Sequence, residues 1–250
     1  IRRRFKKLMS FKIIIPARYS SSRLPGKPLK DLGGKTMIER VYLLAKYSNA
    51  EEVYIATDNK EILDCCNSFG AKTIMTSSDH LSGTDRIGEV IDTLELNSDE
   101  LIINLQGDEP FTRYEDINNL ASFCKENKQF LIGTLFSDFS NNEKIEDTNL
   151  VKIWVKKNSE VINFSRDHDL FNKSNLKPAL HLGIYAYKAR FIKEFVSWDM
   201  SLRERKEKLE QLRAIDRGVA IGALKSISDI HIGIDTQEDL DKARKIILND

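Results

Sequence analysis

Apolar and polar positions along the chain change period again and again. FKIIIPA (11–17) is an unbroken, largely β-branched run, the pattern of a strand buried on both faces. In TMIERVYLLAKYS (36–48), Met37, Val41 and Leu44 share one helical face. VYIATD (53–58) predicts a second strand and NKEILDCCNSFG (59–70) a helix closed by Gly70. AKTIMT predicts a third strand, GTDRIGEVIDTLE another helix, and LIINLQGDEP (101–110) a fourth strand that ends in an acidic turn. YEDINNLASFCKEN and FLIGTLF add one more helix and strand. Strands spaced by helices of this length predict an α/β, Rossmann-like, mainly parallel sheet flanked by helices.

After about residue 136 the alternation stops. VKIWVKK, VINFSR and HLGIYAYK read as strands with no helices between them, a smaller antiparallel extension. Helices over 190–198 and 202–217 follow, then strands ALKSI and HIGID and a last helix from Thr236. SDFSNNEKIEDTN (137–149) is polar and predicts a flexible loop. The expected organisation is one domain over 9–250. Its α/β core spans 9–136, its extension 137–218, and 219–250 returns to the core.

Composition narrows the function classes. The 250 residues carry a net charge of only +1, so no global field favours nucleic acid. Five of the 39 basic residues lie in IRRRFKKL (1–8); the remainder holds 34 basic against 38 acidic residues, a net −4. That basic stretch precedes Met9 and reads as a leader or start-site remnant. The apolar run after it breaks at Pro16-Ala17-Arg18, too early for a secretory signal, and no run approaches the ~20 apolar residues of a membrane span. Cys65, Cys66 and Cys124 have no metal-like spacing and read as buried free thiols of a reducing cytoplasm.

The candidate chemistry lies where strands of such a sheet end, because ligands bind beyond the carboxyl edge. No G-x-G-x-x-G follows the first strand and no G-x-x-x-x-G-K-[ST] occurs. ARYSSSRLPGKPL instead offers Arg18, Arg23 and Lys27, with Gly26 permitting close backbone approach and Pro25 and Pro28 restricting the loop. Guanidinium forks and a compact ammonium suit a polyphosphate, although basic loops are commonly only solvated surface. In NLQGDEP, Asp108 and Glu109 place carboxylate at the same edge; Mg²⁺ is commonly held by one or two carboxylates plus substrate phosphates. In HIGIDTQEDL, Thr236 and Asp239 predict a helix cap, and Asp235 is either a nearby favourable anion or a second metal carboxylate. His181 and Tyr185 share strand parity and so one face. Glu210, Gln211 and Arg213 lie on a helix and would ordinarily be a solvated face.

Taken in order, PARYSSSRLPGKPL, ATD, SGTDR, NLQGDEP, FSR, HLGIYAY, LEQLR and DTQEDL resemble the CMP-Kdo synthetases, the 3-deoxy-manno-octulosonate cytidylyltransferases, from about Ser10 to the C-terminus. The resemblance implies that the anomeric hydroxyl of a 3-deoxy-octulosonic acid attacks the α-phosphate of CTP and releases pyrophosphate. It implies Pro16, Ala17, Arg18, Arg23, Lys27 and Arg86 at the CTP, and Asp108 and Asp235 as Mg²⁺ ligands. It places Gln106, Arg166, His181, Tyr185, Glu210 and Gln211 at the sugar. It further implies a cytoplasmic homodimer, dimerising and binding sugar through the extension, in lipopolysaccharide or capsule synthesis. Several positions depart from the family pattern. SGTDR has Asp85 where Glu is frequent, Arg203 stands where an acidic residue often precedes LEQLR, and Gln237 replaces a common proline. DHDLFNKSNLKPAL, between Arg166 and His181, departs most, so a modified sugar such as 8-amino-Kdo is an alternative substrate. A nucleotide-sugar glycosyltransferase would use a similar sheet and carboxylate-held metal but consume an activated sugar. A pseudo-enzyme would bind CTP without turnover.

Overall fold

The computed structural model describes residues 10–21, 23–139, 145–168, 177–228 and 230–249. The leader reading for 1–8, residues 140–144 of the polar loop, and residues 169–176 of the divergent segment lie outside these. The elements are β1 (Lys12–Ala17), α1 (Met37–Tyr47), β2 (Glu52–Thr57), α2 (Lys60–Ser68), β3 (Lys72–Met75), α3 (Gly83–Thr93), β4 (Leu101–Asn104), α4 (Tyr114–Glu126) and β5 (Ile132–Ser137). They continue with β6 (Lys152–Val155), β7 (Val161–Ser165), β8 (Ala179–Lys188), α5 (Ala189–Val196), α6 (Leu202–Glu207), α7 (Gln211–Asp216), β9 (Ile221–Lys225) and α8 (Gln237–Asn249).

The main sheet runs β3-β2-β1-β4-β8-β5-β9, and β1 pairs in parallel with both β2 and β4. Strand alternation splits the core into two layers. Ile13, Ile15, Ile55 and Ile103 pack against Ile38 and Val41 of α1, Ile62 of α2, and Ile117 and Leu120 of α4. Ile14 and Ile102 face the other way, against Ile87 and Ile91 of α3 and Ile192 and Phe195 of α5. Each of these fully buried aliphatic side chains contributes roughly 1.5–3 kcal/mol of transfer free energy. The helices start where the sequence offers caps. Thr36 Oγ1 accepts from Glu39 N at 3.3 Å, and Asn59 Oδ1 accepts from Ile62 N at 3.1 Å. Ser82 and Asp85 form a reciprocal capping box on α3, so Asp85 performs the role that Glu performs in such boxes.

Three elements differ from expectation. The strand HLGIYAYK does not sit apart in an extension: β8 is inserted antiparallel between β4 and β5. Two residues, Gly183 and Ile184, are extra in its register with β5, and beyond them β6 takes the place of β4 beside β8. The antiparallel extension is thus the β6–β7 hairpin plus the first part of β8. The single helix expected over 202–217 is divided by Lys208, whose φ of 54° ends α6 in a left-handed turn. HIGID (231–235) forms no strand; Ile234 N donates instead to Asp108 O at 2.9 Å and Asp235 N to Asp239 Oδ2 at 3.2 Å. Gly70 does close α2, with φ +77°.

A third, smaller apolar cluster positions the site. Leu24, Leu32 and Met37 pack with Ile234, Leu240 and Ala243, clamping the loop after β1 onto the start of α8.

Candidate active site

The cationic loop and both carboxylates meet. Leu24 and Ile234 share the small cluster, so Arg23 and Asp235, their chain neighbours, are brought face to face. The Ile234 to Asp108 hydrogen bond fixes the second carboxylate beside them. Lys27 Nζ donates to Asp108 Oδ2 at 2.5 Å and to Asp235 Oδ1 at 2.9 Å. Arg23 Nη2 donates to Asp235 Oδ2 at 2.8 Å. Burial alone would lower the Lys27 pKa, but the two carboxylates outweigh it and raise it. Burial likewise opposes ionisation of Asp235, yet Lys27 and Arg23 hold its carboxyl below the usual range. The capping box also serves Asp235. Asp239 Oδ2 accepts from Asp235 N, Thr236 N and Thr236 Oγ1, so the helix cap also fixes the backbone of Asp235.

These residues line a cleft of about 250 Å³ at the carboxyl edge of the sheet, together with Pro16, Ala17, Arg18 and Gln106. Gly107 lets the floor close: a Cβ there would come within 3.1 Å of the Pro16 carbonyl. The first turn of α3 opens on the same cleft through Ser82 and Gly83. Arg86 also lines it, but its guanidinium is engaged from behind by Asp58 Oδ2 at 2.7 Å, Ser77 O at 3.2 Å and Thr76 Oγ1. Asp58 also lies near the cationic loop, accepting from Tyr19 N at 3.4 Å.

The expected sugar residues form a network behind the cleft. Gln106 donates to Asn104 Oδ1 at 3.0 Å, and Asn104 donates to the Tyr187 hydroxyl at 3.3 Å. Thr84 contacts that hydroxyl at 3.4 Å and donates to Glu210. The Tyr187 ring stacks on Tyr185, and Tyr185 lies 5.5 Å from the His181 ring. Burial raises the Glu210 carboxyl and the Tyr185 phenol, keeping both biased toward their neutral forms. Burial pushes His181 down to about 3. Thr134 directs its single proton to Ile184 O at 2.8 Å, so His181 Nε2, 3.0 Å from the Thr134 oxygen, is the donor of that pair.

Two expected members stand differently. Arg166 Nε and Nη1 are held by the carbonyls of Glu207, Thr148 and Asn149, at the end of β7. Gln211 is buried at the start of α7. The LEQLR segment is no solvated face: Arg213 is buried and paired with Glu204 at 2.6 Å.

Sequence reasoning assigned no role to Asp58, Thr84, Asn104 or Tyr187, and set Glu109 at the carboxylate edge without making it a ligand. Strand parity extended from Tyr185 would have found Tyr187. Glu109 lies half-buried beside the carboxylate pair; desolvation first, then Asp108 and Asp235, push it up to about 8. Asp108 and Asp235 fit a Mg²⁺ ion, because their oxygens already converge on one cation. Among the described residues no group of three or more His, Cys, Asp and Glu could hold a metal, so water or phosphate oxygens would complete the shell.

Residues 12–227 match the family model described as cytidylyltransferase. A 3-deoxy-manno-octulosonate cytidylyltransferase of Saccharophagus degradans is 42% identical over 249 residues, 94% of this chain and 98% of that protein. One from Haemophilus influenzae is 42% identical over 253 residues, covering 96% and 99%. A solved CMP:2-keto-3-deoxy-manno-octonic acid synthetase complexed with CTP superposes with a TM-score of 0.87 at 36% identity, covering 96% of this chain and 98% of that one. A putative glucose-1-phosphate thymidylyltransferase from Bacillus anthracis shares the fold, with a TM-score of 0.68 at 17% identity.

Proposed function

The chain belongs to the cytidylyltransferase family, and from that premise we propose that it transfers CMP from CTP to 3-deoxy-manno-octulosonate (Kdo). The anomeric hydroxyl forms a bond to the α-phosphorus, the bond to the β-phosphate oxygen breaks, and pyrophosphate and a proton are released. The observation that carries this reading is the meeting of Arg23, Lys27, Asp108 and Asp235 in one cleft at the sheet edge.

Nucleotidyl transfer rests mainly on positioning and charge neutralisation, and the cleft residues supply both. Arg18, Arg23 and Lys27 bind the triphosphate and offset charge gathering on the leaving pyrophosphate. The α3 N-terminus adds a positive dipole end to the same cleft. Arg86, fixed by Asp58, holds the 76–82 loop against the nucleotide. Asp108 and Asp235 would hold Mg²⁺, which would supply orientation of the reacting oxygens and neutralisation of their charge. Gln106, His181, Tyr185, Glu210 and Gln211 bind the sugar, and Arg166 supplies a cation at its far end. His181 does so as a neutral imidazole: its Nε2–H is given to Thr134, which leaves Nδ1 as an acceptor. The protein works as a cytoplasmic homodimer feeding lipopolysaccharide or capsule assembly. No helix among the described residues is long and apolar enough to cross a membrane.

The test is a pyrophosphate-release screen of CTP with Mg²⁺ against Kdo, 8-amino-Kdo and sialic acid. Release is expected with Kdo; absence of release with every octulosonate contradicts the assignment.

A further inference from the structure

Lys27 stands where a metal held by Asp108 and Asp235 would stand. Its ammonium contacts one oxygen of each carboxylate, and its side chain is only 14% exposed. We propose that Lys27 competes with the divalent cation for these two carboxylates, so that metal enters only with a nucleoside triphosphate that draws the ammonium away. This rests on the metal-assisted reading given above and adds a binding order to it.

Charge balance carries the argument. Asp108 and Asp235 supply two negative charges, and Lys27 and Arg23 already match them at hydrogen-bond distance. A dication added to that set leaves two uncompensated positive charges in a partly buried cleft, with Arg18 at its rim. A triphosphate reverses the balance, because it offers the ammonium new anionic partners and offers the metal new oxygen ligands. Lys27 can change partners without moving its backbone. It sits on a rigid 3₁₀ turn, Lys27–Leu29, with Pro28 buried, and only its four-carbon stem must rotate. Two protein carboxylates are also too few to fill a Mg²⁺ shell by themselves, so the triphosphate adds oxygen ligands that the protein lacks. The outcome is a coupling between two ligands through one side chain, and such coupling is reciprocal.

The test uses Mn²⁺ as the probe, read as protein-bound ion by water proton relaxation enhancement, in wild type, Lys27→Met, Lys27→Arg and Asp235→Asn. Without nucleotide, Lys27→Met should bind Mn²⁺ about tenfold or more tightly than wild type, as expected on removing a close competing charge. Lys27→Arg should show no gain. The factor by which CTP strengthens Mn²⁺ binding should fall by the same ratio in Lys27→Met. Should Lys27→Met fail to fold, Lys27→Gln takes its place. Equal Mn²⁺ affinity in wild type and the neutral variant, with CTP still promoting Mn²⁺ uptake by wild type, overturns the competition while sparing the metal site. Equal uptake by wild type and Asp235→Asn in the presence of CTP overturns the metal site and this inference together.

Discussion

Arg86 Nη2 donates to Asp58 Oδ2 across 2.7 Å, joining the end of β2 to the first turns of α3. Both side chains are largely buried, at 3% and 14% exposure. Asp58→Ala leaves the guanidinium without its counter-charge, and breaking such a pair costs about 3–5 kcal/mol. Urea unfolding should show that loss, with KM for CTP rising because the 76–82 loop is released. A loss below about 1 kcal/mol with unchanged KM shows that the pair neither stabilises the protein nor holds the nucleotide side of the cleft.

Acid should weaken the fold through His181. Burial holds its folded pKa at about 3, whereas the unfolded imidazole takes up a proton near pH 6.5. The unfolded state then binds more protons between those values, so stability is complete above pH 6.5 and declines toward pH 3. The slope is at most about 1.4 kcal/mol per pH unit from this group. His181→Gln should flatten that part of a denaturation series recorded from pH 7 to 5. An unchanged slope would place the imidazole in contact with water.

A second buried pair lies away from the cleft lining. Arg213 Nη2 donates to Glu204 Oε1 at 2.6 Å while its guanidinium lies 4.5 Å from the centre of the Phe195 ring. Arg213→Met should cost about 3–5 kcal/mol by stranding Glu204. Adding Glu204→Met should recover most of it, because an apolar pair of similar volume needs no desolvation. Chemical denaturation of the two variants measures this directly; a double variant no more stable than the single one contradicts it.

Much of this molecule is legible in its sequence, for reasons that can be named. The Ile13-Ile14-Ile15 run has a single solution, a strand with a core on each face, and it takes that place. The caps at Thr36, Asn59 and Thr236 act within one helical turn, so local chemistry sets them. The placing of β8 was not legible, because alternation reveals that a strand exists and not which neighbours it chooses. The extra Gly183 and Ile184 preserve side-chain parity, so the shared face of His181 and Tyr185 survives the change of partners. HIGID has the composition of a strand, but its backbone is taken by Asp108 and its Ile234 by the small apolar cluster. Asp58 escaped because its partner lies 28 residues away and pairing at that range leaves no periodic trace. For Asp235 the sequence offered two readings, helix-start anion or second metal carboxylate, and the structure places it both at the start of α8 and beside Lys27 and Asp108.

The central claim is that Asp108 and Asp235 act as a pair in CTP-dependent transfer. Its most direct test is pyrophosphate release from CTP and Kdo by Asp108→Asn and Asp235→Asn, each checked for an intact fold by circular dichroism. Both variants keep the shape of the side chain and lose its charge, so turnover should fall by about a thousandfold or more while the spectrum stays that of wild type. Turnover within a fewfold of wild type in either variant contradicts the two-carboxylate site.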